Sequence, residues 1–298
     1  MKNQLLFLVT SLGFIMFGLA QDFQGKAIYQ SKTSMGDFSF GREMPEDQKK
    51  QMMERMKGMF EKTYVLTFDK SSAMYAEEEK LEAPSTGRGG MSFGGFGGSG
   101  KLYKNVKDQN YTRETEMFGK VFLIKDELAK LEWKMGTESK KIGNYTAYKA
   151  TSIKPIDSTS FEALRNRRQK QREKEDAEKG VKKDSTENKS FFAGSSELKE
   201  IEITAWFTPQ IPISQGPGEY WGLPGLILEV SAGNTVILCT KIVMNAEEKE
   251  IIEAPSKGKE VSQLEYNKIM MDKMEEMSEQ FRGNNRNRGG SNTIRFGN

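Results

Sequence analysis

The sequence predicts a mainly β fold of the α+β kind: a curved antiparallel sheet or partial barrel with two Met-rich amphipathic helices. Three observations predict it. Short runs with period-2 apolar alternation recur at close spacing along most of the chain. No helical stretches lie between them to build parallel βαβ units. Helical periodicity is confined to two segments, 44–62 and 262–281, each carrying methionines three and four residues apart.

The elements follow in chain order. Residues 1–20, MKNQLLFLVTSLGFIMFGLA, read as a secretory signal peptide. Lys2 supplies the positive charge, 5–17 the apolar core, and Gly18 and Ala20 the small residues before a cut after Ala20. The apolar run is short for a membrane span, and Thr10 and Ser11 interrupt it. The residue after the cut is Gln21, not the cysteine a lipid anchor needs, so no membrane anchor is expected. Residues 21–281 then form a single domain. A first strand is expected over 24–35. Segment 44–62 opens with Pro45, Glu46 and Asp47, suited to a helix start, and repeats Met52, Met56, Met59 and Phe60 at helical spacing. Strands are expected at 63–69 and 72–75. Residues 83–100 form a Gly/Ser loop tipped by Phe93 and Phe96, with no Gly-Lys-Ser/Thr to make it a phosphate cradle. A meander follows at 101–106, 110–117 and 120–125, with a turn at Phe118-Gly119. Further strands are expected at 131–135 and on both sides of a Gly143-Asn144 turn in 139–153. Residues 161–189 are nearly all charged and read as a solvated insertion, which a surface loop tolerates. Segment 262–281 opens with a Ser262/Glu265 capping box, and 282–298 is a Gly/Asn/Arg-rich tail expected to be disordered.

The stretch 201–243 has the most specific backbone demands. Ile201, Ile203, Ala205 and Phe207 alternate with polar residues and Trp206, so 201–208 is a strand. Pro209 and Pro212 stop the ladder. Gly216-Pro217-Gly218 forces a turn. Leu223-Pro224-Gly225-Leu226 fits a type II turn with positive φ at Gly225. Residues 226–230 and 235–243 then make a hairpin through Ala232-Gly233-Asn234, both strands apolar on both faces and therefore expected to be central and covered.

The run AWFTPQIPISQGPGEYWGLPGLILEV resembles the signature of the GLPGLI family, through Ala205-Trp206-Phe207-Thr208, Ile211-Pro212, Gly216, Pro217, the hexapeptide Gly222-Leu223-Pro224-Gly225-Leu226-Ile227, and Leu228-Glu229. Upstream, Trp133 and 142–150 (IGNYTAYKA) are similar to the strand before that signature. The resemblance implies a secreted protein of Gram-negative envelopes without an established activity. Family members often carry a cysteine near 148–150, where this chain has none, so no role of that cysteine transfers.

Composition narrows the function further. The chain has no histidine and one cysteine, Cys239, so no intramolecular disulfide forms and the usual general base is missing. Cys239 sits in an apolar run and reads as a buried small hydrophobe. Lys plus Arg number 45 against 42 Asp plus Glu, a near balance that does not favour nucleic acid as partner. Acidic residues interleave the arginines of 161–189 without an aromatic platform, which weakens that reading again. The expectation is a non-enzymatic periplasmic or cell-surface protein that binds an apolar ligand or an envelope partner protein on its curved sheet. Trp206, Tyr220 and Trp221 are the candidate contacts. The rest of the signature instructs the fold. One alternative is Cu(I) handling by Met52, Met53, Met56 and Met59 with Met270, Met271, Met274 and Met277, although Met stripes more often pack than bind metal. Another is a structural accessory role in an envelope complex. No cofactor, resident metal or catalytic residue is expected; Glu219 with Glu229 is a bare carboxylate pair.

Overall fold

The computed structural model describes residues 23–34, 45–48, 50, 60–78, 100–155, 200–245 and 249–288. The expected signal peptide 1–20, the expected insertion 161–189, the expected loop 83–100 except Gly100, and most of the predicted helix 44–62 lie outside the described residues.

Among the described residues, twelve strands form one sheet. They are β1 (Gly25–Thr33), β2 (Glu61–Phe68), β3 (Ser72–Glu77), β4 (Leu102–Asn105), β5 (Asn110–Met117), β6 (Lys120–Glu127), β7 (Lys134–Ile142), β8 (Tyr145–Pro155), β9 (Glu200–Thr208), β10 (Leu226–Ala232), β11 (Thr235–Met244) and β12 (Lys259–Val261). The helix α1 spans Gln263–Arg288. Strand order is β12-β6-β5-β4-β3-β2-β1-β11-β10-β9-β8-β7. Two meanders, β1–β6 and β7–β11, are joined where the first strand pairs with the eleventh. Every pairing is antiparallel except β12 on β6, so the sheet is mixed and not purely antiparallel as expected. Three residues of Lys-Glu-Val are too short to show a period in the sequence.

The chain itself forces the sheet to roll. β6 and β7 stand ten places apart in the order. On a flat sheet at about 4.8 Å per strand, that is roughly 48 Å. The link from Glu127 to Lys134 can reach at most about 25 Å. Residues 128–133 therefore cross a seam between two edges that curvature has brought together.

The rolled face is filled by the segment between β9 and β10, residues 209–225. Proline ends β9 after Thr208, as expected. Ile211, Ile213 and Trp221 then enter the large core cluster with Leu66, Phe68 and Leu102. Leu223 enters a second cluster with Ala205, Phe207, Ile227 and Val230. Burying four such side chains stabilises the fold by roughly 1.5–3 kcal/mol each. The Gly216-Pro217-Gly218 turn forms, with φ +55° at Gly218 and the Tyr220 amide donating to the Pro217 carbonyl at 3.1 Å. Leu223-Pro224-Gly225-Leu226 is not the expected type II turn, because Gly225 is not in the positive-φ region; Gly222 is, at +93°. Glycine is required at 225 for proximity instead. A Cβ there would lie 2.2 Å from the Thr208 carbonyl oxygen.

Two further expectations change. In β10, Leu226, Ile227, Leu228 and Val230 are buried, but on β11 Val236, Leu238 and Val243 are exposed, so the central β11 is covered on one side only. The helix α1 carries the predicted capping box, Ser262 Oγ accepting from the Glu265 amide and Glu265 Oε2 from the Ser262 amide. It runs on to Arg288, however, seven residues into the segment expected to be disordered. Met271 is buried in this helix, and Met270 packs on the core with Tyr266 and Ile269. Of the two predicted Met-rich helices, this one is described; Met52, Met53, Met56 and Met59 lie outside the described residues. Cys239 is buried, as expected, and burial pushes its thiol up to about 12.

Candidate functional site

Two openings beside the segment 209–225 differ in chemistry. The larger is a cleft of about 850 Å³ at the seam. Its walls come from β5 and β6 (Tyr111, Arg113, Asp126), the crossing segment (Leu131), the end of β8 (Ile153, Lys154) and the start of α1. Sequence order scatters these residues; rolling the sheet collects them.

A buried lysine sets the cleft floor. In β4, Leu102 and Lys104 are buried while Tyr103 and Asn105 are not, so Lys104 occupies the inward phase of its strand. It is 0 % exposed. Its Nζ donates to the carbonyls of Gly216 (2.5 Å), Gly218 (2.8 Å) and Tyr220 (3.1 Å). Three donors of an ammonium meet three acceptors of one turn. Burial pushes Lys104 down to about 7, and the nearby charge of Glu219 pulls it back up. Its amine is closed off from solvent by the carbonyls it holds, so it is a strut and not a nucleophile.

Those carbonyls flank Glu219. Holding them inward turns the Glu219 carboxylate into the cleft, where Oε1 accepts from Arg113 of β5 and Oε2 faces Lys154 of β8 at 3.6 Å. Burial pushes Glu219 up, but Arg113 and then Lys154 outweigh it and hold the carboxyl below its ordinary value. One loop carboxylate thus ties strands eight places apart in the sheet. Arg113 also lies over the Tyr111 ring at 5.6 Å. Tyr111 donates to Gln263 Oε1 at 3.1 Å, and Gln263 donates to Asn267 at 2.8 Å, which joins α1 to the wall. Asp126 accepts from the backbone amides of Glu127 and Gln263.

The smaller opening is a shallow dish of about 340 Å³ lined by Met135, Gly136, Tyr148, Lys149, Phe207, Pro209 and Pro224. It is nearly all apolar and lies by the edge strand β7.

The three aromatic candidates are not brought together on an open surface. Trp221 is buried and donates from its indole to the Ala129 carbonyl at 3.0 Å. Its own carbonyl accepts from the Trp133 indole at 2.8 Å, so the two tryptophans stitch the inserted segment to the crossing segment. Trp206 is half-buried under Lys140, whose Nζ lies 4.3 Å from the ring centroid and pairs with Glu229 at 2.7 Å. Tyr220 packs on the second core cluster. Of the signature residues, Leu223, Leu226 and Ile227 are core, Pro224 lines the dish, and Gly216 fits against Ile227, whose side chain lies 2.8 Å from where a Cβ would sit. Glu219 and Glu229 each answer a different cation and form no pair. The sequence reading missed Lys104, Arg113 and Lys154. For Lys104 a signal existed, a lysine in phase with Leu102; for the others, only the tertiary roll reveals the role.

No group of three or more Cys, Asp or Glu side chains is placed to hold a metal ion among the described residues. No described helix is long and apolar enough to cross a membrane.

No curated protein matches the chain. Two solved structures of PNGF-II, in space groups C2 and P21, are similar at 13% identity with TM-scores of 0.45 and 0.44. Each match covers 84% of this chain and 33% of that one, so this chain spans about a third of their length. Residues 133–229 match a family model described as a protein of unknown function (Porph_ging). That match takes in Trp133, Lys154, Glu219 and the whole inserted segment, while Lys104 and Arg113 lie before it.

Proposed function

We propose that this chain is a non-enzymatic binding protein that works in the periplasm or at the cell surface and seats its ligand in the seam cleft. The observation that carries the reading is the cleft itself: a concave site of ligand-pocket size with charged groups converging on an apolar wall. The leader-like residues 1–20 and the GLPGLI resemblance support the location. The lack of histidine and the enclosure of Lys104 favour binding over catalysis. The ligand no longer rests on Trp206, Tyr220 and Trp221, since these rings are engaged within the fold.

Ligand-observed NMR with a tryptic casein digest, a pool of short peptides, tests this. Signal transfer to wild type is expected. It should be lost in Lys154→Trp, which sets a bulky ring beside Glu219 from a side chain 40% exposed, and kept in Met135→Trp, which fills the dish. Absence of transfer, or transfer unaffected by Lys154→Trp, would sink the proposal.

A further inference from the structure

Away from the seam cleft, we infer that the free edge of β7 docks the acidic edge strand of a folded partner protein. The sheet ends in two unlike edges. β12 is three residues long, and Ser262 alone separates it from α1. β7 is nine residues long, pairs only with β8 among the described residues, and has every side chain from Lys134 to Ser139 exposed. Such an edge is a template for a further strand unless something blunts it. β7 is blunted in one part, where its register with β8 shifts between Met135 and Ser139. From Ser139 to Ile142 the ladder is regular. The Gly143-Asn144 turn joins the two strands, so Ile142 and Tyr145 are the hydrogen-bonded pair that closes it. Alternation then turns the amides and carbonyls of Lys141 and Ser139 away from β8, toward the place a further strand would take.

Charge selects the partner. Glu138 is taken by Lys149, and Glu229 by Lys140. Lys134 and Lys141 are exposed and have no carboxylate partner among the described residues. The edge therefore presents positive charge that no acid answers. It repels a cationic strand, a second copy of β7 included, and attracts an acidic one. Register adds a second requirement. Ser139, Tyr148 and Phe207 form one row across β7, β8 and β9. Lys141 lies two residues from Ser139 and so faces the same side of the sheet. Tyr148 is 42% exposed in that row, and Ser139 beside it is small. A strand with a carboxylate opposite Lys141 places its next side chain on that face opposite Ser139, where an apolar group reaches over the hydroxyl to the Tyr148 ring. The pattern recognised is an acid and an apolar residue two positions apart. The strand must be preformed, because so short a ladder does not offset the ordering of a flexible peptide.

The probe is a backbone-cyclised β-hairpin whose outer strand reads Thr-Glu-Thr-Ile-Thr, titrated into the full chain by isothermal calorimetry. It should bind at least tenfold more tightly than the same hairpin with lysine in place of glutamate. Lys141→Glu, at an exposed side chain, should reverse that preference. Ser139→Pro, which removes an outward N–H at an edge position that tolerates proline, should abolish binding. On binding, hydrogen exchange should slow at the amides of Ser139 and Lys141. Lys154→Trp should leave all of this unchanged, so failure at the edge is distinguishable from failure of the cleft. No binding to wild type, a preference that survives Lys141→Glu, or unchanged exchange at Ser139 and Lys141 overturns the docking edge.

Discussion

The two openings beside the inserted segment share one sheet face and one neighbour, yet they are built in opposite ways. The cleft is floored by groups whose positions are fixed from behind: Lys104 holds three carbonyls, and these aim Glu219 at Arg113 and Lys154. The dish is what remains where Met135, Tyr148, Phe207, Pro209 and Pro224 are not covered. The contrast teaches that concavity alone says little. A site differs from a gap in having its polar groups over-determined by a second layer of contacts.

The sharpest way to break the comparison is Lys104→Met. The apolar replacement leaves one buried and two partly buried carbonyls without a donor, and an unmet buried acceptor costs about 1–3 kcal/mol, so the loss should reach about 3 kcal/mol in chemical denaturation. Met135→Ser in the dish should stay within about 0.5 kcal/mol. Similar losses for the two would mean that the cleft is no better specified than the dish.

A second test uses pH. Lys104 is lowered by burial to about 7 from an ordinary value of 10.5. Between these values the unfolded chain still binds the proton that the folded chain has released. Stability therefore gains a rising component as pH increases through that window, and the component is absent below it. Denaturation from pH 7 to 9 should show that rise in wild type relative to Lys104→Met. Parallel pH profiles would show that the lysine keeps its proton, its three carbonyls outweighing the cost of burial.

The smallest expected effect concerns the seam. Trp133→Phe keeps the ring but removes the donor to the Trp221 carbonyl, and should cost about 1 kcal/mol. It should also weaken ligand binding in the cleft while leaving the Lys104 pH dependence in place. Loss of that pH dependence would show that strut and stitch are one unit.

Much of the fold was legible because it is local. The Phe118-Gly119 turn forms with φ of +50° and +71°. The hairpin at Gly233, the proline exit after Thr208 and the Ser262/Glu265 cap also stand where residue chemistry places them. Legibility failed where proximity in space decides. Gly225 needs no positive φ but lacks room for a side chain beside Thr208, and sequence cannot distinguish these two reasons for a glycine. Both faces of β11 read as apolar, yet one is bare, because coverage depends on what the rest of the chain brings to it. The cleft was least legible of all. Arg113, Lys154 and Glu219 come from separate strands and a loop, and no spacing in the sequence marks them as neighbours. Trp206, Tyr220 and Trp221 were conspicuous for their size, and size mostly reported packing.

The pairing of β1 with β11 sets a timetable. The first strand of the sheet lies near its middle, and one of its two neighbours is made about 200 residues later. Until residue 244 is present, the N-terminal meander ends in a bare edge and the two halves cannot join. Assembly of the closed core must therefore wait for nearly the whole chain, and a chain threaded N-terminus first through a narrow channel would remain open throughout the passage. The long-range pairing that makes folding slow is also what keeps the two halves apart until the end of synthesis.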